Sequence, residues 1–242
     1  LKLIPLPQSR QTMTAAFPFI HMAADTVVDI IANRVVPACL EFMDNHCIRA
    51  VEKHLNVGLS KEAEAFLLID VDGFKSELSN AMEIMTSICK ENGATDIQVA
   101  KNETERLKLW EIRRSISPAL SGLPIQGDGE DIVVPRTRIP DIIKKMEHIC
   151  DQYGLYAINF GHAGDGNLHV SLVEKNGPVA AEKVAAASTE ILKETVRLEG
   201  RIAAEHGIGI VKKEKMSYII FFLYKIYSLL RICMDFSCLN KN

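Results

Sequence analysis

Apolar positions alternate between two periods along the chain. Short runs suited to strands are Thr14 to Phe17, Ala38 to Met43, Ala65 to Val71 and Asp96 to Ala100. Between them, Val27, Val28, Ile30 and Ile31 mark an amphipathic helix over Ala23 to Asn33. Asn45 is placed to cap a second helix carrying Ile48, Val51 and Leu55. Phe74, Leu78, Met82, Met85 and Ile88 form one face of a third, stopped by Asn92-Gly93. A long helix from Glu103 to Ser117, ended by Pro118, one from Ile139 to Tyr153 and one from Val179 to Arg197 complete the pattern. The layout suggests an α+β fold, an antiparallel sheet with helices on one face, and two ferredoxin-like units as one arrangement of it.

Within that pattern, the segment Asn159-Phe-Gly-His-Ala-Gly-Asp-Gly-Asn-Leu-His169 reads as a hairpin. Asp165-Gly166 is the dipeptide preferred by a two-residue type I′ turn. With that turn, His162 faces His169, and opposed Cβ atoms lie about 4.5–5.5 Å apart. Two imidazoles on one face of a rigid hairpin are half of a site for a zinc-like metal. A third ligand has to come from elsewhere, and Ala204-Glu205-His206-Gly207 is the best candidate, with Glu205 as the oxygen donor. On a strand, Glu205 and His206 would point to opposite faces, so both serve one site only where the backbone turns, as Gly207 and Gly209 permit. The plain alternative is a loop with surface histidines.

Composition narrows the classes. At 242 residues, 48% hydrophobic and 24% charged, the chain has the make-up of an ordinary globular protein. Lys+Arg 28 against Asp+Glu 31 gives a formal charge of −3 without a basic run, so nothing points to nucleic acid. Six cysteines are scattered with no CxxC pair, which suits reduced thiols in a cytoplasmic or mitochondrial-matrix setting, with peripheral membrane association left open. No Gly-rich phosphate loop follows a strand. The apolar run Tyr218 to Leu230 is 13 residues broken by Lys225, short of the ~20 a membrane span needs.

The motifs His162-Ala-Gly-Asp-Gly-Asn-Leu-His169 and Glu205-His-Gly-Ile-Gly209 resemble the C-terminal half of flavin-linked D-2-hydroxyacid dehydrogenases. Leu40-Glu-Phe-Met-Asp44, Leu109-Trp-Glu-Ile-Arg113 and Glu130-Asp-Ile-Val-Val-Pro135 occur in the same family order. The family includes glycolate oxidase flavoprotein subunits, D-lactate dehydrogenases and D-2-hydroxyglutarate dehydrogenases, of the vanillyl-alcohol-oxidase type. The resemblance runs from about residue 1 to 216. It implies a ferredoxin-like cap, or substrate, domain over 1–216, with 217–242 a divergent apolar tail and the FAD-binding domain absent from this sequence.

The resemblance also assigns roles. An Arg on an amphipathic helix is ordinarily a solvated charge, but Arg113 matches the family's carboxylate-gripping Arg, and Ser117 lies one turn on. His206 matches the catalytic base, and His162, His169 and Glu205 match the holders of a divalent metal, zinc or manganese. FAD would take the hydride from a small 2-hydroxy acid, and the partner would be an FAD-binding domain or an electron-transfer subunit. The sequence departs from the family at Gly129-Glu130, where a Lys or another polar group is frequent. Two other readings remain: a metal-dependent hydrolase using His162, His169 and Glu205, and a non-catalytic cap domain.

Overall fold

The computed structural model describes residues 5–123, 125, 129–176, 180–210 and 212–217. Strands β1 (Ser9–Phe17), β2 (Cys39–Asp44), β3 (Ala65–Gly73) and β4 (Asp96–Val99) are separated by helices α1 (Ile20–Ala32), α2 (Asn45–Leu55) and α3 (Lys75–Glu91). Then follow α4 (Glu103–Arg114), α5 (Ile116–Leu120), β5 (Glu130–Val133), α6 (Ile139–Tyr153), β6 (Leu155–His162), β7 (Asn167–Glu174) and α7 (Ala181–Arg197). The strands form one 7-stranded sheet in the order β4-β1-β3-β2-β6-β7-β5, and every pairing is antiparallel.

That order contains a repeat. The run β4-β1-β3-β2 is the strand order of a βαββαβ ferredoxin-like unit, with α2 inserted between β2 and β3. β5, β6 and β7, with α6 and α7, repeat the first three strands and both helices of such a unit. After α7 the chain makes an isolated antiparallel bridge from Arg201 to Val133 on β5. The two units join where β2 pairs β6, Glu41 opposite His162 and Met43 opposite Phe160.

The apolar periods explain the layers. On one face, alternate strand residues such as Met13, Phe42, Leu67, Ile132 and Leu168 are buried with residues of α1, α3, α6 and α7 in one core. These are the repeated helices, and they share one face as the sequence predicts. The other face is also apolar, because every residue of β3 from Ala65 to Val71 is buried. There Met43, Phe66, Leu68 and Ile158 meet Ile48 and Val51 of α2, Leu109 and Ile112 of α4 and Ile116 of α5 in a second core. Helices therefore cover both faces, since a sheet apolar on both sides cannot leave one of them to water.

Local chemistry moves some boundaries. The cap of α2 is Asp44, whose side chain accepts from the Cys47 N–H at 2.8 Å, one residue before the expected Asn45. Asn45 instead donates to the carbonyls of Lys61 and Ala63. The helix expected to run unbroken to Ser117 stops at Arg114, and Ser115 separates it from α5. Pro118 lies in the early part of α5, where its missing N–H is tolerated. β5 has no counterpart among the sequence-predicted strands. No helix of the described residues is long and apolar enough to cross a membrane, and the apolar run at 218–230 lies outside the described residues.

Candidate metal and substrate site

The hairpin β6–β7 forms, with a different turn. His162 pairs with Asn167 instead of His169, and Phe160 pairs with His169, a slip of two residues from the expected register. Residues 163–166 make the turn, the N–H groups of Asp165 and Gly166 both reaching the His162 carbonyl at 3.3 and 3.1 Å. Only Gly166 takes a positive φ, of 80°, so the turn is not type I′. A Cβ there would sit 1.9 Å from the Val134 carbonyl oxygen. Because side chains alternate with period two, a slip of two keeps both histidines on one face. Their rings are 5.6 Å apart and edge-on.

Glu205 completes the set. Its Oε1 is 3.5 Å from His162 Nε2, 3.4 Å from His169 Nε2 and 3.5 Å from His206 Nε2. The backbone turns at this point: the Gly207 N–H donates to the Ala204 carbonyl at 3.2 Å, and Gly207 and Gly209 have φ of 70° and 53°. Adjacent Glu205 and His206 thereby serve one site.

Buried carboxylates hold this layer in place. Glu41 on β2 is 4% exposed at its side chain. Its Oε1 is 2.6 Å from His162 Nδ1 and accepts from Cys39 Sγ at 2.9 Å, and its Oε2 accepts from Arg113 Nε at 2.6 Å. Burial alone would raise its pKa, but the His162 contact, the Arg113 charge and the Cys39 bond hold it at about 2. The bond to Glu41 in turn raises the His162 pKa against the opposing effect of burial. Asp131 on β5 sits opposite His169, with Oδ1 3.4 Å from His169 Nδ1. Its Oδ1 also accepts from Asn167 Nδ2 at 2.7 Å, and its Oδ2 accepts from the Ala204 and His206 N–H groups at 3.0 Å each. Burial works to raise the Asp131 pKa, and these bonds outweigh it and lower it. His169 titrates below its ordinary value because it is buried.

Beside the ligand atoms lies a cavity of about 630 Å³, lined among others by Arg113, Ser117, Glu130, Phe160, His169 and His206. Arg113, at the end of α4, places its Cζ over the Phe160 ring, 5.5 Å from the centroid. Ser117, expected one helical turn further along, reaches the cavity from α5 instead. His162, His169, Glu205, His206, Arg113 and Ser117 are thus gathered into one region. Sequence reasoning missed Glu41, Asp131 and Lys212.

Lys212 stands behind the Gly129-Glu130 departure. Glu130 is buried, Lys212 Nζ is 2.9 Å from its Oε2, and Lys215 and Ser188 reach its Oε1. Lys212 also donates to the carbonyls of Ile202 and Asp131 at 3.0 and 3.3 Å, bracing the start of the loop that carries Glu205. The signal for all three was a charged residue inside an apolar run or beside glycines.

The donor set suits a divalent ion. His162, His169 and Glu205 each offer one ligand atom, all within 4.8 Å of one another, and both histidines carry a carboxylate on the other ring nitrogen. Asp131, His169 and His206 are equally close, but both oxygens of Asp131 are already engaged by N–H donors. The first set is the better holder.

Residues 6–220 match the family model described as FAD linked oxidases, C-terminal domain. The glycolate oxidase subunit GlcD of Bacillus subtilis is 38% identical over 213 residues, covering 88% of this chain and 45% of that protein. A probable mitochondrial D-lactate dehydrogenase of Danio rerio is 27% identical over 216 residues, covering 88% of this chain and 43% of its own length. Among solved structures, a 4-ethylphenol oxidase from Gulosibacter chungangensis aligns over 84% of this chain and 47% of its own, with a TM-score of 0.61 at 10% identity, a likeness of fold alone. The chain spans less than half the length of these relatives.

Proposed function

The chain belongs to the family of FAD linked oxidases, C-terminal domain, and from that membership we propose that it is the substrate- and metal-binding portion of a flavin-dependent dehydrogenase. The reaction is oxidation of a small D-2-hydroxy acid, D-lactate or glycolate, to the 2-oxo acid. The observation that carries this reading is the convergence of His162 Nε2 and His169 Nε2 at 3.5 and 3.4 Å on one oxygen of Glu205, at a cavity lined by Arg113. Relatives called glycolate oxidase subunit and D-lactate dehydrogenase support the choice of substrate.

In this reading Arg113, whose Nε is taken by Glu41, offers its terminal amines to the substrate carboxylate in a two-point contact. His162, His169 and Glu205 hold zinc or manganese, which as a Lewis acid would stabilise charge developing on the 2-hydroxyl oxygen. His206, 67% exposed at its side chain, accepts the hydroxyl proton. FAD, bound mainly by another part of the protein, would accept the hydride leaving Cα, since protein side chains cannot. Holding the acid at two points orients that hydrogen, an effect worth several kcal/mol in favourable cases, on the order of 7–11 at the limit. Ser117 adds a hydroxyl to the cavity wall. The partner is an FAD-binding domain or a further electron-transfer subunit, and the cytoplasm or mitochondrial matrix would keep Cys39, Cys47, Cys89 and Cys150 as the free thiols they are.

The test is metal content of the purified chain, wild type against His162→Ala and Glu205→Ala. About one equivalent of zinc or manganese, lost in both variants, is the expected result for a three-ligand site. A folded wild type that takes up neither metal would remove the site from the reading.

A further inference from the structure

We infer that Glu41 is a positioning residue that locks the metal ligand His162 and the carboxylate clamp Arg113 into one rigid unit, an inference that rests on the function proposed above. Glu41 lies on β2 in the first ferredoxin-like unit, His162 on β6 in the second, and Arg113 on the helix that connects the two. One buried carboxylate reaches both at 2.6 Å, with separate oxygens.

Electrical compensation alone does not demand this arrangement. A single buried carboxylate is neutralised by a single guanidinium, and Arg113 supplies it. The second oxygen is directed at His162 Nδ1. Donation from Nδ1–H to that carboxylate fixes the tautomer with a bare Nε2. Nε2 is the nitrogen that points to Glu205 Oε1 at 3.5 Å. His169 has an equivalent partner in Asp131, but at 3.4 Å the contact is looser, so Glu41 is the tighter of the two orienting groups.

The effect on Arg113 is complementary. With Nε held by Glu41 and Cζ over the Phe160 ring, the guanidinium is restrained at two points. The separation between the metal ligand and the carboxylate clamp is therefore set by the span of one carboxylate. That separation decides which acids can place their carboxylate and their hydroxyl at once, and adjacent carbons match a short span.

The experiment uses the 242-residue chain with zinc and with manganese as probes, titrated into wild type, Glu41→Gln and His162→Ala. Glu41→Gln is expected to raise the metal Kd by about 10–100-fold, the range usual for loss of an orienting group behind a ligand. His162→Ala should abolish binding. Wild type that binds, with His162→Ala silent and Glu41→Gln unchanged, would overturn the role of Glu41 and leave the proposed function standing. Wild type that binds no metal would remove the metal site from the proposed function and overturn the role of Glu41 with it. Should Glu41→Gln fail to fold, long-range ¹H–¹⁵N NMR of the metal-free wild type at pH 8 decides the matter. Protonation of His162 at Nδ1 with a bare Nε2 supports the inference, and protonation at Nε2 overturns it.

Discussion

Asp44 shows how one buried side chain couples fold to pH. Its Oδ1 caps α2, and its Oδ2 accepts from both the N–H and the side-chain amide of Asn159, at 2.7 and 2.8 Å. Burial pushes its pKa from an ordinary 3.8 up to about 7, against the pull of these bonds. The folded chain then binds this proton more tightly than the unfolded one. Its contribution to stability is greatest below about pH 4, falls as pH rises towards 7 and is level above that. Asp44→Asn keeps a good capping side chain but turns a donor towards Asn159, so a loss of about 1–3 kcal/mol is expected. Denaturant midpoints from pH 4 to 8 should show a shallower pH dependence than wild type. An unchanged slope would mean that Asp44 does not titrate in that window.

At the scale of elements, the loop 203–209 is held to β5 by two N–H bonds to Asp131 and from behind by Lys212. Asp131→Ala should free it, weakening metal binding about 10–100-fold by the loss of an orienting group and opening the loop to limited proteolysis. Equal metal affinity and equal cleavage rates would show that Lys212 suffices. Gly166→Ala tests the turn, where a side chain meets both a positive φ and the Val134 carbonyl. A loss of more than about 1 kcal/mol is expected in denaturant unfolding.

These elements also mark how far the sequence could be read. Periodicity located α6 to its residue boundaries and Ala65 to Val71 as a buried strand, because burial there is continuous. The hairpin was legible as a hairpin, yet its register was not, since Asp-Gly favours one turn and the packing of Gly166 against Val134 selects another. His162 and His169 were recoverable despite the slip because it was even. Glu41 and Asp131 were not, because a carboxylate's partner on a distant strand leaves no local mark. Only their position within the apolar runs 39–44 and 130–134 hinted at them.

Across the whole molecule, the candidate site lies on the seam between the two ferredoxin-like units, with Glu41 from one and His162, His169 and Asp131 from the other. Metal bound there is held by ligands of the second unit alone and reaches the first only through Glu41 behind His162. At a free concentration about 100-fold above Kd, it should add about 2.7 kcal/mol to unfolding stability. Chelation should remove that increment, and His162→Ala should be insensitive to chelation. A wild type equally stable with and without metal would mean that the folded chain binds the ion no more tightly than the unfolded one. The first unit closes its edge with β4, paired to β1 over Asp96 to Val99. In the second, the corresponding stretch makes the single bridge of Arg201 to Val133 and then leaves the sheet. A full fourth strand would have pinned residues 202–206 into a pleat, with Glu205 and His206 on opposite sides. Glu205 and His206 meet in one place because the second copy left its last strand unfinished, and a symmetrical molecule would have kept them apart.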